Sequence, residues 1–134
     1  MSDSHRQAIE SLLTDYTRLL GEAYRAADGT LLAPVATERE QQRVATSIAE
    51  LAAEGRALRP VFRRMTIESI APAFRTTYHV DTFEIWDLRV VALGSEQTVS
   101  ESPAQENRLT YTVIRDGDEW HVLSRVLRSS TQPS

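Results

Sequence analysis

The chain has 134 residues but no cysteine and no lysine; all fifteen basic residues are arginine. Without cysteine there is no disulfide, no thiolate nucleophile and no thiolate-held metal. Without lysine there is no Schiff-base chemistry and no phosphate-loop lysine. A lysine-free, Arg-rich and Ala-rich composition is most simply explained by genome base bias. A cysteine-free chain suits a reducing or an oxidising compartment, so location stays open between the cytoplasm and an extracytoplasmic domain of a larger protein. No apolar run approaches the roughly 20 residues that span a bilayer, so no transmembrane segment is expected in this chain. The opening MSDSHRQAIE is polar, unlike a signal peptide. A net charge of −4 and a pI near 5.4 argue against a nucleic-acid partner. With three histidines and no His-x-x-x-His or His-Glu-x-x-His spacing, no metal site is expected. There is no Gly-rich phosphate loop, Gly-x-Ser-x-Gly elbow or dinucleotide fingerprint, so no cofactor is expected either.

What remains is ordinary for a globular chain: 41% hydrophobic and 25% charged residues, consistent with one domain over 1–134. Ile9, Leu12, Leu13, Tyr16, Leu19, Leu20, Ala23 and Tyr24 recur every three or four positions and predict a long first helix. Gly29 is suited to its left-handed cap. Residues 30–33 predict a short second helix or turn. A third helix starts at Thr37-Glu38-Arg39-Glu40, a capping-box pattern, and stops before Pro60. Helices are thus expected over about 4–58. From Val61 the texture turns to β, with strands at about 61–71, 77–93, 97–114 and 119–129. Residues 96–107 are polar and predict a loop or an extension of strand three, and 129–134 a frayed tail. Helices followed by sequential strands predict α+β, with N-terminal helices on one face of a four-stranded antiparallel meander.

The last hairpin carries Asp116-Gly117. As the centre of a two-residue turn it pairs Arg115 with Asp118, Val113 with Trp120 and Tyr111 with Val122. One face then holds Leu109, Tyr111, Val113, Trp120, Val122 and Val126, a core face for the helices to cover. The other holds Thr110, Thr112, Ile114, His121 and Arg125. Strand two is apolar on both faces, with Phe83, Ile85 and Val91 at odd positions and Trp86, Leu88 and Val90 at even ones. A face turned away from the helices needs a cover, which predicts a protein partner or self-association through the sheet.

This order of elements, closed by Tyr111-Thr-Val113, Arg115-Asp-Gly117 and Trp120-His-Val122, resembles the cystatin-like fold of the nuclear transport factor 2-like superfamily. The rhythm of Ala23 through Leu31, Val35-Ala-Thr37-Glu, Leu51, Gly55, Ile67, Val80 and Glu84-Ile-Trp86 resembles the C-terminal domain of chloroplast and cyanobacterial division proteins, which lies in the intermembrane or periplasmic space. The resemblance implies a curved sheet wrapped around the long helix as a cone. Some members keep a pocket there and act on small molecules; others fill it and serve as interaction modules.

His79 and Asp81, two apart on a strand, share a face, and such a carboxylate can orient a basic imidazole. The plainer reading is an exposed polar pair near a turn. His121 with Glu119 and Arg125 forms a second polar strip, read as solvated or interfacial. Tyr16, Tyr24, Trp86, Tyr111 and Trp120 suit either a pocket lining or helix-to-sheet packing. The two-faced apolar strand and the poverty of catalytic groups favour a non-catalytic interaction or assembly module, and the resemblance to the division proteins implies the soluble domain of a larger envelope protein. The alternative is a cofactor-free binder or isomerase/dehydratase-type enzyme using the cone, with His79 or Asp81 as base.

Overall fold

A computed structural model of the chain describes residues 2–131. Helix α1 spans Asp3–Ala26. Its first turn is capped by Ser2, whose hydroxyl accepts from the His5 N–H at 3.2 Å. Ala27, not Gly29, takes the left-handed conformation that ends it, at φ 55°. Gly29 is needed for a different reason. A Cβ there would stand 2.7 Å from the Gln41 carbonyl oxygen, so the glycine allows the second long helix to approach. After a 3-10 turn at Gly29–Leu32, helix α2 runs from Glu38 to Ala53. It ends earlier than Pro60 suggests, because Gly55 turns the chain at φ +73° and strand pairing begins at once.

The strands are β1 Arg56–Pro72, β2 Thr77–Ala92, β3 Thr98–Asp116 and β4 Glu119–Thr131. They form an antiparallel meander in the order β1-β2-β3-β4. Pro60 lies within edge strand β1, where the missing N–H is tolerated. The first turn falls after Pro72, at residues 73–76, closed by the Thr77 hydroxyl on Phe74. The polar stretch after Glu96 is strand from Thr98 onward, with irregular pairing around Pro103. Strand β4 continues through Thr131, so the tail is paired that far; residues 132–134 lie outside the described part.

The final hairpin differs from the expected register. Gly117 and Asp118 are the central turn residues, so Arg115 faces Trp120 and Val113 faces Val122. Moving the turn centre by one residue moves every pair by two, and the alternation of faces survives. A second departure does not preserve it. Thr112 pairs with Ser124, leaving Leu123 as an extra residue in β4. Beyond this bulge the faces exchange: Arg125 turns inward opposite Tyr111, and Val126 turns outward, 57% exposed.

The core lies between α1 and the concave face of the sheet. Ile9, Leu13 and Tyr16 from α1 meet Val80, Leu109, Tyr111, Val113 and Val122, all essentially inaccessible. The segment before α2 also clasps the edge of β4. Val122 donates to the Val35 carbonyl at 2.7 Å, and the Thr37 N–H donates to the Val122 carbonyl at 3.0 Å.

Candidate functional site

Alternation on β2 sends Val80, Thr82, Glu84 and Trp86 into the cone, and all four are buried. Glu84 therefore sits in the interior as a carboxylate that must be fully partnered. It is. Its Oε1 accepts from Trp86 Nε1 at 2.8 Å and Arg125 Nη2 at 3.0 Å. Its Oε2 accepts from Thr82 Oγ1 at 2.8 Å and Tyr111 Oη at 2.7 Å. Arg125 also donates through Nε to Tyr111 Oη at 2.9 Å, and its guanidinium lies 5.6 Å from the Tyr111 ring centre and 5.8 Å from that of Trp86. Burial works against the arginine's charge, but Tyr111 and Glu84 outweigh it and hold its pKa above the ordinary value.

A second carboxylate is built from the helices. Glu40 is buried, is gripped by Arg43 through Nε and Nη2 at 2.7 Å each, and accepts a short hydrogen bond from Tyr16 Oη. The capping box is thus half present. Thr37 accepts from the Glu40 N–H at 3.4 Å, but the Glu40 side chain turns into the interior instead of back to Thr37, whose own N–H is taken by Val122. The Tyr16 and Tyr111 rings meet edge to face at 5.7 Å and join the two halves. Burial raises both phenols well above their usual range, and the neighbouring carboxylates add to this.

Of the residues singled out in the sequence, Tyr16, Trp86 and Tyr111 converge in the cone. Trp120 is apart from them: it is half-buried near the start of α1, with His5 and Tyr78 ring centres 5.4 and 5.5 Å away. His79 and Asp81 do share a face, but it is the outer one. Their strand neighbours Val80 and Thr82 point to the core, while His79 is exposed and Asp81 accepts from Thr110 Oγ1 at 2.6 Å and Ser69 Oγ at 3.1 Å. Those bonds, the Thr110 one foremost, hold the Asp81 carboxyl below its usual range. His121 lies opposite Ile114, outward as expected, but Arg125 does not join it. The outer face is dressed with charge: Arg63 pairs with Asp87, and Arg108 pairs with Glu68 and lies over the Phe83 ring at 5.1 Å.

Sequence reasoning missed Glu40, Glu84 and Arg125 as interior groups. The signal for Glu84 was its parity with Trp86. Glu40 was absorbed into a helix cap, and Arg125 was assigned outward because nothing in the pattern announced the Leu123 bulge.

Among solved structures, the intermembrane-space region of the chloroplast protein ARC6 is similar, with a TM-score of 0.73 and 14% identity over 90% of this chain and 94% of that one. The fold is cystatin-like. A periplasmic fragment of TraM gives 0.61 at 12% identity, covering 96% and 98% of the two chains. Aln2 from a Streptomyces species gives 0.56 at 14% identity, covering 95% and 91%. At such identities the likeness is one of fold. No protein-family model matches the sequence, and no curated protein matches it either. Among the described residues, no helix is long and apolar enough to cross a membrane.

Proposed function

We propose that this chain is a non-catalytic interaction or assembly module, the soluble domain of a larger envelope protein, working through the outer face of its sheet. The observation that carries the reading is the bonding of Glu84. An ionised carboxylate offers about four lone-pair positions, and four donors occupy them here. A general base needs a free one, so this interior serves architecture. His79 and Asp81, the bases suggested by the sequence, lie outside the cone. On the outer face, Val61 and Val126 are 50% and 57% exposed on the two edge strands, which suits a surface that meets another chain. The envelope setting is supported by the likeness to ARC6 and TraM domains named for the intermembrane space and the periplasm.

The test is photocross-linking in the native cells. A photoreactive residue is placed at 61, 85 or 126 on the sheet, or at 22 on the exposed side of α1 as a control. Adducts are expected from the sheet positions and not from position 22. Adducts from position 22 alone, or none from any sheet position, overturn the proposal.

A further inference from the structure

A cavity of about 130 Å³ remains between the C-terminal half of α1 and the start of β1. Its apolar walls are Leu20, Leu58, Trp86 and Leu88. Four polar side chains complete it: Asn107 and Arg125, with Arg43, which grips Glu40, and Tyr24, whose hydroxyl donates to Ser47 Oγ. Asn107 is only 8% exposed. Its Oδ1 accepts from Gln105 Nε2 at 3.0 Å, whereas its Nδ2 has no protein acceptor among the described residues. Arg125 spends Nε on Tyr111 and Nη2 on Glu84, and its Nη1 has no protein acceptor either. Among the described residues, no side-chain polar atom sealed from solvent lacks a partner. These two unbonded donors are therefore open to solvent, as groups on a cavity wall are. The nearby carboxylates are engaged elsewhere: Glu84 is saturated, and Glu40 is held by Arg43 and Tyr16.

The cavity thus presents donors on an apolar wall, with its carboxylates withdrawn. We infer that it binds a small monocarboxylate with a compact apolar body, the carboxylate accepting from Asn107 Nδ2 and Arg125 Nη1 and the body lying against Trp86 and Leu88. Size sets the class: a dry cavity of about 150 Å³ accommodates benzene, so one aromatic ring or a short branched chain fills this one. A buried donor left without an acceptor costs free energy, and a carboxylate oxygen removes that cost where a hydrocarbon cannot. A cation is repelled, because both Arg125 and Arg43 line the cavity and its carboxylates are engaged elsewhere. This site is independent of the proposed interface on the opposite face of the sheet.

The probe is sodium benzoate, titrated into the isotopically labelled chain and followed by NMR at the Trp86 indole and the Asn107 side-chain amide. Benzylamine, of similar shape and opposite charge, is the control. Saturable shifts at both groups with benzoate and none with benzylamine are expected. Asn107→Leu, close in volume but without the donor, weakens binding at least about tenfold, the equivalent of one hydrogen bond to a charged acceptor. Leu88→Phe, which fills the space and keeps the donors, also abolishes binding and decides the matter if Asn107→Leu does not fold. No saturable shift with millimolar benzoate, equal binding of the amine, or undiminished binding to either folded variant overturns the inference.

Discussion

Replacing Arg125 with methionine removes the only cation bonded to Glu84 among the described residues while keeping much of the arginine stem's volume. Glu84 is fully buried, and Arg125 retains 15% side-chain exposure. The variant leaves a buried carboxylate facing only neutral donors. Breaking one side of a buried pair costs about 3–5 kcal/mol, a large part of the ~5–15 kcal/mol that holds a domain together. In a chain of this length that corresponds to a drop of roughly 10–20 °C in Tm. The comparison is Arg108→Met, which breaks the exposed pair with Glu68 and should leave stability nearly unchanged, because solvent screens that pair. Adding Glu84→Gln to Arg125→Met removes the orphaned charge while keeping an amide oxygen for Trp86 Nε1, its amide NH2 facing the Tyr111 and Thr82 hydroxyl oxygens, which can accept. The double variant therefore loses less than the sum of the two single losses, by about 2–3 kcal/mol of coupling. Urea denaturation followed by tryptophan fluorescence and far-UV circular dichroism measures all four proteins. If Arg125→Met costs no more than Arg108→Met, or the two interior substitutions simply add, the inward placement of Arg125 is refuted.

Alkaline titration reads the same interior. The chain has four tyrosines, and burial raises the Tyr16 and Tyr111 phenols above the ordinary value near ~10. Ultraviolet difference spectra should show Tyr16 and Tyr111 staying protonated well above that pH while the fold persists. Because their folded values exceed the unfolded one, the stability they contribute is complete below pH ~10 and is lost as pH rises above it, so these two phenolates appear together with alkaline unfolding. Four phenols titrating before any loss of structure would contradict this. Gly29→Ala should cost about 1–3 kcal/mol in thermal unfolding, because its Cβ meets the Gln41 carbonyl oxygen at 2.7 Å and backbone cannot rotate away. Gly55→Ala meets no such obstacle, only the strain of φ +73°, and should cost less.

The helices and the sheet order were legible because the information is local and periodic. The three-four spacing from Ile9 to Tyr24 is a helical stripe, and four β-rich stretches separated by turn residues leave little choice but a meander. The cone's shape was expected from the resemblance to the nuclear transport factor 2-like superfamily, not from periodicity. Its contents were not legible. Glu40 obeys a capping pattern and a burial constraint at once, and only the distance to Tyr16 and Arg43 shows which one its side chain serves. Glu84 reads as one charge in an apolar strand, and its parity with Trp86 gains meaning only when the partner on β4 is known. That partner is hidden by Leu123. One extra residue reverses the facing of the strand as far as the next irregularity, at Arg128, and a leucine in a bulge looks like a leucine in a strand. Gly29 shows the same limit: a glycine near a helix end suggests a cap, whereas here it admits a neighbouring helix. Local rules located the elements, and long-range contacts decided which side chains occupy the interior.

The central claim is that Arg125 closes the cone from within, bonded to Glu84 and Tyr111. The most direct measurement is hydrogen exchange of the arginine Nε–H groups by NMR. Arg125 donates through Nε to a fully buried phenol at 2.9 Å, so its resonance, assigned by its loss in Arg125→Met, should persist in heavy water long after those of exposed arginines such as Arg39 and Arg75 have vanished. Exchange of the Arg125 Nε–H as fast as these surface groups would place the side chain outside the cone and contradict the account.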